Sequence, residues 1–174
     1  MFRSYTFSFE EVRPEIPVLM EYLQIPDSES YALVSEIVEK TFDELKDSKE
    51  IIGGYRVLDC PEVNVREGIV ACSAGYLHTG RKISGYMKGS GRIALFLCTA
   101  GKIFTGLSQA YQQNGDFLEA FVVESIGSAT VENAMDKVQQ YLEEDMTEQG
   151  KKITNRYSPV SYTHLRAHET LMNL

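Results

Sequence analysis

The sequence predicts an α+β fold, a mostly antiparallel sheet flanked by helices in a single domain. Three observations carry that expectation. Tyr5, Phe7 and Phe9 alternate with Thr6 and Ser8, the period of a strand with one buried face. Ile93-Ala94-Leu95-Phe96-Leu97 is an unbroken apolar run, which reads as a central strand covered on both sides. Two amphipathic helical patterns, over 28–46 and 117–144, are long enough to cover one or both faces of such a sheet. No βαβ unit repeats along the chain, so a parallel, doubly wound sheet is not expected. A length of 174 residues fits one domain with a core of its own.

After the first strand, a loose helix is expected across Glu15–Leu23, ended near Pro26. Asp27 can cap the next helix, 28–46, where Leu33, Val34, Ile37, Val38, Phe42 and Leu45 recur at three and four. Ile51–Leu58 is β-like, broken by Gly53-Gly54 and followed by Pro61. Gly68–Ser73 is a second short strand. Thr79–Met87 predicts a short helix with Ile83, Tyr86 and Met87 inward. The apolar strand exits at Gly101 into a helix over 102–112. Strand, glycine, helix invites comparison with a phosphate cradle. Thr99-Ala100-Gly101-Lys102-Ile103, however, has neither of the glycine patterns that such cradles use, and a plain turn is the better reading. Asp116 with Glu119 makes a capping box for the longest helix. Phe117, Phe121, Val131, Ala134, Met135, Val138, Tyr141 and Leu142 fall roughly on one of its faces. Gly127-Ser128-Ala129 lets another backbone approach its middle closely or lets it bend. Gly150 stops it, and 153–159 leaves as an extended loop.

Composition excludes several classes. Apolar residues are 43% and charged residues 24%, as in ordinary globular proteins. With 17 basic and 25 acidic residues the formal charge is −8, and no basic stripe is present, so nucleic acid is not an expected partner. Cys60, Cys72 and Cys98 are an odd number without a CxxC, which is not a disulfide scaffold, and Cys98 reads as a small buried hydrophobe. His78 is isolated. His164 and His168 stand at i,i+4 but lack the glutamate that a zincin helix places beside the first histidine. The N-terminus has no apolar core of a signal peptide, and no run approaches a membrane span, so a cytoplasmic protein without a membrane partner is expected.

The most telling segment is Arg156-Tyr157-Ser158-Pro159. With Leu19-Met20-Glu21-Tyr22-Leu23, Leu95-Phe96-Leu97-Cys98-Thr99-Ala100-Gly101 and Glu124-Ser125-Ile126-Gly127-Ser128-Ala129-Thr130-Val131-Glu132, it resembles the activation domain of cobalamin-dependent methionine synthase, in its small stand-alone form. The resemblance spans about 15–159 and rests on the order of the pieces. It implies a twisted antiparallel sheet flanked by helices. It also implies a module that binds S-adenosylmethionine and supports reductive remethylation of the partner's cobalamin, in methionine biosynthesis. Cobalamin would arrive only with the cobalamin-binding part of methionine synthase. Electrons would come from a flavodoxin-like protein or a reductase. Such a module binds and positions, and the cofactor carries the hard chemistry.

Within the resemblance, Glu132 matches a ligand-contacting carboxylate of the long helix, and Arg156 matches the arginine of the ligand loop, with Tyr157 and Pro159 beside it. A carboxylate suits the ligand's ammonium, and the planar guanidinium suits its carboxylate. Glu132 reads equally as a solvated carboxylate on an acidic helix, and Arg156 also as a structural arginine. No catalytic residue and no metal ligand is implied. Val160-Ser161 stands where the family has Gly-Tyr. The string 160–174 resembles a translated sequencing-adapter tail, so 1–159 is read as the native domain and 160–174 as foreign. Two further readings stand beside this one: a non-catalytic ligand- or protein-binding domain, and a free-standing S-adenosylmethionine-dependent methyltransferase. The methyltransferase would want a glycine-rich strand–turn–helix that the sequence lacks.

Overall fold

The computed structural model describes residues 1–25, 28–60 and 62–157. The expected cap at Asp27, the stop near Pro26, Pro61, Ser158-Pro159 and the foreign-tail reading of 160–174 lie outside the described residues. The elements in order are β1 (Phe2–Phe7), α1 (Phe9–Val12), α2 (Ile16–Leu23), α3 (Ser28–Leu45), β2 (Ile51–Asp59), β3 (Glu62–Asn64), β4 (Ile69–Cys72), β5 (Gly75–His78), α4 (Gly80–Tyr86), β6 (Arg92–Thr99), α5 (Ile103–Asn114) and α6 (Phe117–Thr147). The fold is α+β, with antiparallel strands and flanking helices. Among the described residues no helix is long and apolar enough to cross a membrane.

The strands form two three-stranded sheets, ordered β1-β2-β6 and β3-β4-β5. In the first, Val57 N donates to Met1 O at 2.8 Å and the Met1 amine to Val57 O at 3.3 Å. Further along, Gly54 faces the Arg3 carbonyl. Partner numbers fall on β2 as they rise on β1, the mark of an antiparallel pair. The same inversion links β2 to β6: Cys60 N donates to Gly91 O at 3.0 Å, and Gly53 faces Cys98. In the second sheet the pairing is antiparallel throughout, with Val70 opposite both Val63 and Leu77.

The chain divides into two compact units. Among the described residues, one comprises Met1, Arg56–Leu95 and 143–157; the other comprises Phe2–Tyr55 and Phe96–Leu142. The first is built around Leu58, Cys60, Val70 and Ile93, with Val63, Cys72, Leu77 and Met87 packed against them. The second has an aromatic centre. Phe9 meets Phe42 edge-on at 5.4 Å and lies 6.1 Å from Phe104, and Tyr5 lies 4.6 Å from Tyr141. Such ring pairs add about 0.5–1.5 kcal/mol beyond the apolar area they bury.

Several expectations are corrected. The first strand ends at Phe7, because Ser8 and Glu11 close a capping box and Phe9 opens α1. Gly53-Gly54 does not break β2; a Cβ on Gly53 would stand 2.7 Å from both Cys98 Sγ and Val138 Cγ2, so the glycine admits close packing. The apolar strand β6 is not central. β2 takes that place, and β6 leaves Leu95 and Leu97 42% and 78% exposed. Its inner side carries Phe96 and Cys98, both half-buried. In α3, Leu33 points outward, 52% exposed.

Phe117 and Phe121 are exposed as well, at 69% and 55%. The buried stripe of α6 advances by fours through Val122, Ile126, Thr130, Ala134, Val138 and Leu142. Phe117 and Phe121 fall one residue, about 100°, off that stripe. Gly127 admits a ring rather than a backbone: the Phe104 side chain would stand 3.1 Å from its Cβ.

Candidate functional site

The expected ligand loop begins where α6 ends. Gly150, at φ +68°, takes the left-handed conformation that closes a helix. Its N–H donates to Thr147 O at 2.9 Å, and Lys151 N–H donates to Met146 O at 2.9 Å. This pair of bonds is a Schellman cap, and it satisfies two of the last helical carbonyls while turning the chain out of the helix. Residues 151–157 then run without regular structure, with Ile153, Arg156 and Tyr157 half-buried.

Tyr157 is fixed by an aromatic partner that the sequence did not announce. Its ring stacks on Tyr86 of α4, centroids 4.9 Å apart and planes 13° from parallel. Tyr86 was expected to point into the core. It is instead 46% exposed, and Ile83 and Ser84 supply the buried side of α4. Ser84 Oγ donates back to Gly80 O at 2.8 Å, so one turn of this short helix is consumed by its own hydroxyl. The ring of Tyr86 is left for the loop.

Glu132 is exposed on α6, between half-buried Val131 and Asn133. It stands in the second unit, and Arg156 and Tyr157 stand in the first. The neighbouring Asn133 donates from Nδ2 to Arg13 O at 3.1 Å. Earlier in the same segment, Glu124 Oε1 accepts from Ser108 Oγ at 2.7 Å and from Gln112 Nε2 at 3.3 Å. The resemblance drew no role for Glu124; here it ties α5 to α6. Pro159 lies outside the described residues.

The glycine turn after β6 is structural. Gly101 is at φ +79°, and a Cβ there would meet Glu50 at 2.6 Å. Lys102 N–H, at the start of α5, donates to Glu50 Oε2 at 3.2 Å, and Gly101 N–H donates to Thr99 Oγ1 at 3.2 Å. The chain's own carboxylate therefore occupies the place a phosphate would want at this helix N-terminus. The plain-turn reading accounts for the geometry. Glu50 is 52 residues from Lys102, so no local pattern could have revealed it.

A cleft of about 220 Å³ in the first unit is lined by Met1, Val57, Asp59, Arg92, Met146 and Gln149. It is smaller than the roughly 300–1,000 Å³ of ordinary ligand pockets. Its charged members pair with each other, Arg92 Nε to Asp59 Oδ1 at 3.1 Å, and both are exposed. The three cysteines are free thiols. Burial, with a smaller contribution from Cys72, pushes the Cys60 thiol up, so it stays protonated and packs as a hydrophobe. Cys98 is half-buried rather than buried, with its Sγ 3.9 Å from Met135 Sδ. Among the described residues no group of three His, Cys, Asp or Glu could hold a metal ion. No family model matches the chain, and no curated protein matches it.

Proposed function

We propose that this chain is an S-adenosylmethionine-binding module of the kind that supports reductive reactivation of methionine synthase. The observation that carries the reading is the segment after α6. A half-buried arginine is followed by a tyrosine held flat against a second ring, just beyond a glycine-capped long helix. What the resemblance asks of this stretch is a guanidinium fork for the ligand's carboxylate. The antiparallel α+β fold is the one the resemblance implies. By the resemblance, Glu132 matches a carboxylate that would suit the ligand's ammonium. Cobalamin would enter only on the partner, the cobalamin-binding part of methionine synthase, with electrons supplied by a flavodoxin-like donor or a reductase in the cytoplasm.

The test exploits the departure after Pro159. The chain as it stands should bind S-adenosylmethionine weakly, because Val160 resists the backbone freedom that glycine would give and Ser161 offers no ring. Val160→Gly with Ser161→Tyr should tighten binding by at least about tenfold in a calorimetric titration. Micromolar affinity already in the unaltered chain, or no gain in the double variant, would refute this account of the loop.

A second reading is favoured by one observation. Phe117, Leu118 and Phe121 stand exposed together at the start of α6. Neighbouring exposed apolar side chains suit a non-catalytic protein-binding domain. The methyltransferase reading draws no support from an antiparallel sheet whose glycine turn is filled by Glu50.

A further inference from the structure

We infer that Tyr86 is the positioning residue of the arginine loop, holding Arg156 in its ligand-gripping place by stacking on Tyr157; the ligand part of this inference rests on the S-adenosylmethionine reading above. Residues 151–157 have no helix or strand to hold them. Their fixed ends are the Schellman cap at Gly150 and the Tyr86–Tyr157 stack, 4.9 Å apart and 13° from parallel. Seven residues of irregular chain retain wide conformational freedom unless something distant in sequence restrains them. Tyr86 is one such restraint, 71 positions upstream. Its platform is packed into the first unit. Ile83 and Ser84 are buried one turn back, Met87 packs against the first unit's core, and Met87 N–H closes the helix on Ile83 O at 3.1 Å. Arg156 immediately precedes the stacked ring, so its backbone is held beside a packed aromatic contact.

The contact is ring on ring, and this separates a positioning role from a hydrogen-bonding one. Phenylalanine at 86 keeps the stack, and alanine abolishes it. Tyr86 is 46% exposed, so truncation leaves little void in the core.

Limited trypsin digestion of the full chain tests the inference, with cleavage after Lys152 and Arg156 followed by mass spectrometry and cleavage after Lys137 as reference. Tyr86→Ala should speed cleavage after Arg156 by about three- to tenfold, the range a lost aromatic pair allows. Cleavage after Lys137 should not change, and Tyr86→Phe should behave as the unaltered chain. Tyr157→Ala should reproduce the Tyr86→Ala pattern. In the Val160→Gly, Ser161→Tyr background, millimolar S-adenosylmethionine should slow cleavage after Arg156 with Tyr or Phe at position 86, but not with Ala. Equal loop cleavage in the unaltered chain, Tyr86→Ala and Tyr86→Phe would overturn the positioning role whatever the ligand does. Selective acceleration in Tyr86→Ala, with no protection by S-adenosylmethionine in any protein, would uphold the stack and refute the ligand reading instead. Faster cleavage at Lys137 and Arg156 alike would make Tyr86 a residue of general stability, which also overturns the inference.

Discussion

Arg156 and Glu132 divide the charge matching on which the ligand reading depends, and they are not equivalent. Arg156 is half-buried, and Glu132 is exposed on α6. A contact made out of water counts for more than one screened by it. In the Val160→Gly, Ser161→Tyr background, Arg156→Ala should weaken S-adenosylmethionine binding by about ten- to a hundredfold, roughly 1.5–3 kcal/mol for a charge-assisted contact. Glu132→Gln keeps the shape, removes the charge and should cost less. Calorimetry on both variants checks this, and unchanged affinity in both would place the pocket elsewhere. Both residues were visible in the sequence through the motifs that surround them. Tyr86 was not. At i+3 from Ile83 it reads as part of one apolar face, and only tertiary structure shows that a helix so short buries one turn and offers the other. Glu50 was hidden for a different reason, since its acceptor role spans half a hundred residues.

At the first turn of α1 two local signals compete. Ser8 and Glu11 have the spacing of a capping box, but the alternation of Tyr5, Phe7 and Phe9 extends the strand over them when the period is read alone. In the structure Ser8 donates to Glu11 Oε2 twice, from Oγ and from N, each at 2.7 Å. The Ser8 side chain, then its backbone, holds the Glu11 carboxyl below the usual carboxylate range. A depressed folded-state value means that the stabilisation is present above the ordinary carboxylate pKa. It is lost as pH falls through the lowered value. Ser8→Ala should therefore lower thermal stability at neutral pH by about 1 kcal/mol, the usual worth of an N-cap. The gap between the two proteins should close as the solution is acidified below the carboxylate range. Melting curves at a series of pH values read this directly. A gap that widens in acid would mean that the Ser8 hydroxyl acts through some group other than Glu11. The longer elements were easier: α3 and α6 lie close to where their periodicity put them, because long repeats average out single exceptions such as Leu33 and Phe121.

At the scale of the whole molecule, the class of fold was legible and the order of the sheet was not. Alternation, an apolar run and two amphipathic helices are enough for α+β, but an apolar run says only that a strand is apolar. It does not say which strand lies in the middle. Ile93–Leu97 is an unbroken apolar run and reads as the centre, whereas the middle strand carries Gly53-Gly54. The reason is spatial. A strand with neighbours on both sides and a helix above it has the least room, and glycine is what fits where Phe7, Cys98 and Val138 converge. An edge strand has room to spare and can show leucines to solvent. Two substitutions in the second unit separate these roles. Gly53→Ala adds one methyl group where three side chains already meet, and should destabilise by about 1–3 kcal/mol through overpacking, although alanine is the better-behaved residue in most strands. Leu97→Thr removes apolar bulk from a side chain that is 78% exposed on β6, and should change stability by no more than about 0.5 kcal/mol. Denaturant unfolding of the two variants checks the pair together. If β6 were instead the covered central strand, the order of the two effects would reverse, with Leu97→Thr the damaging change and Gly53→Ala the tolerated one.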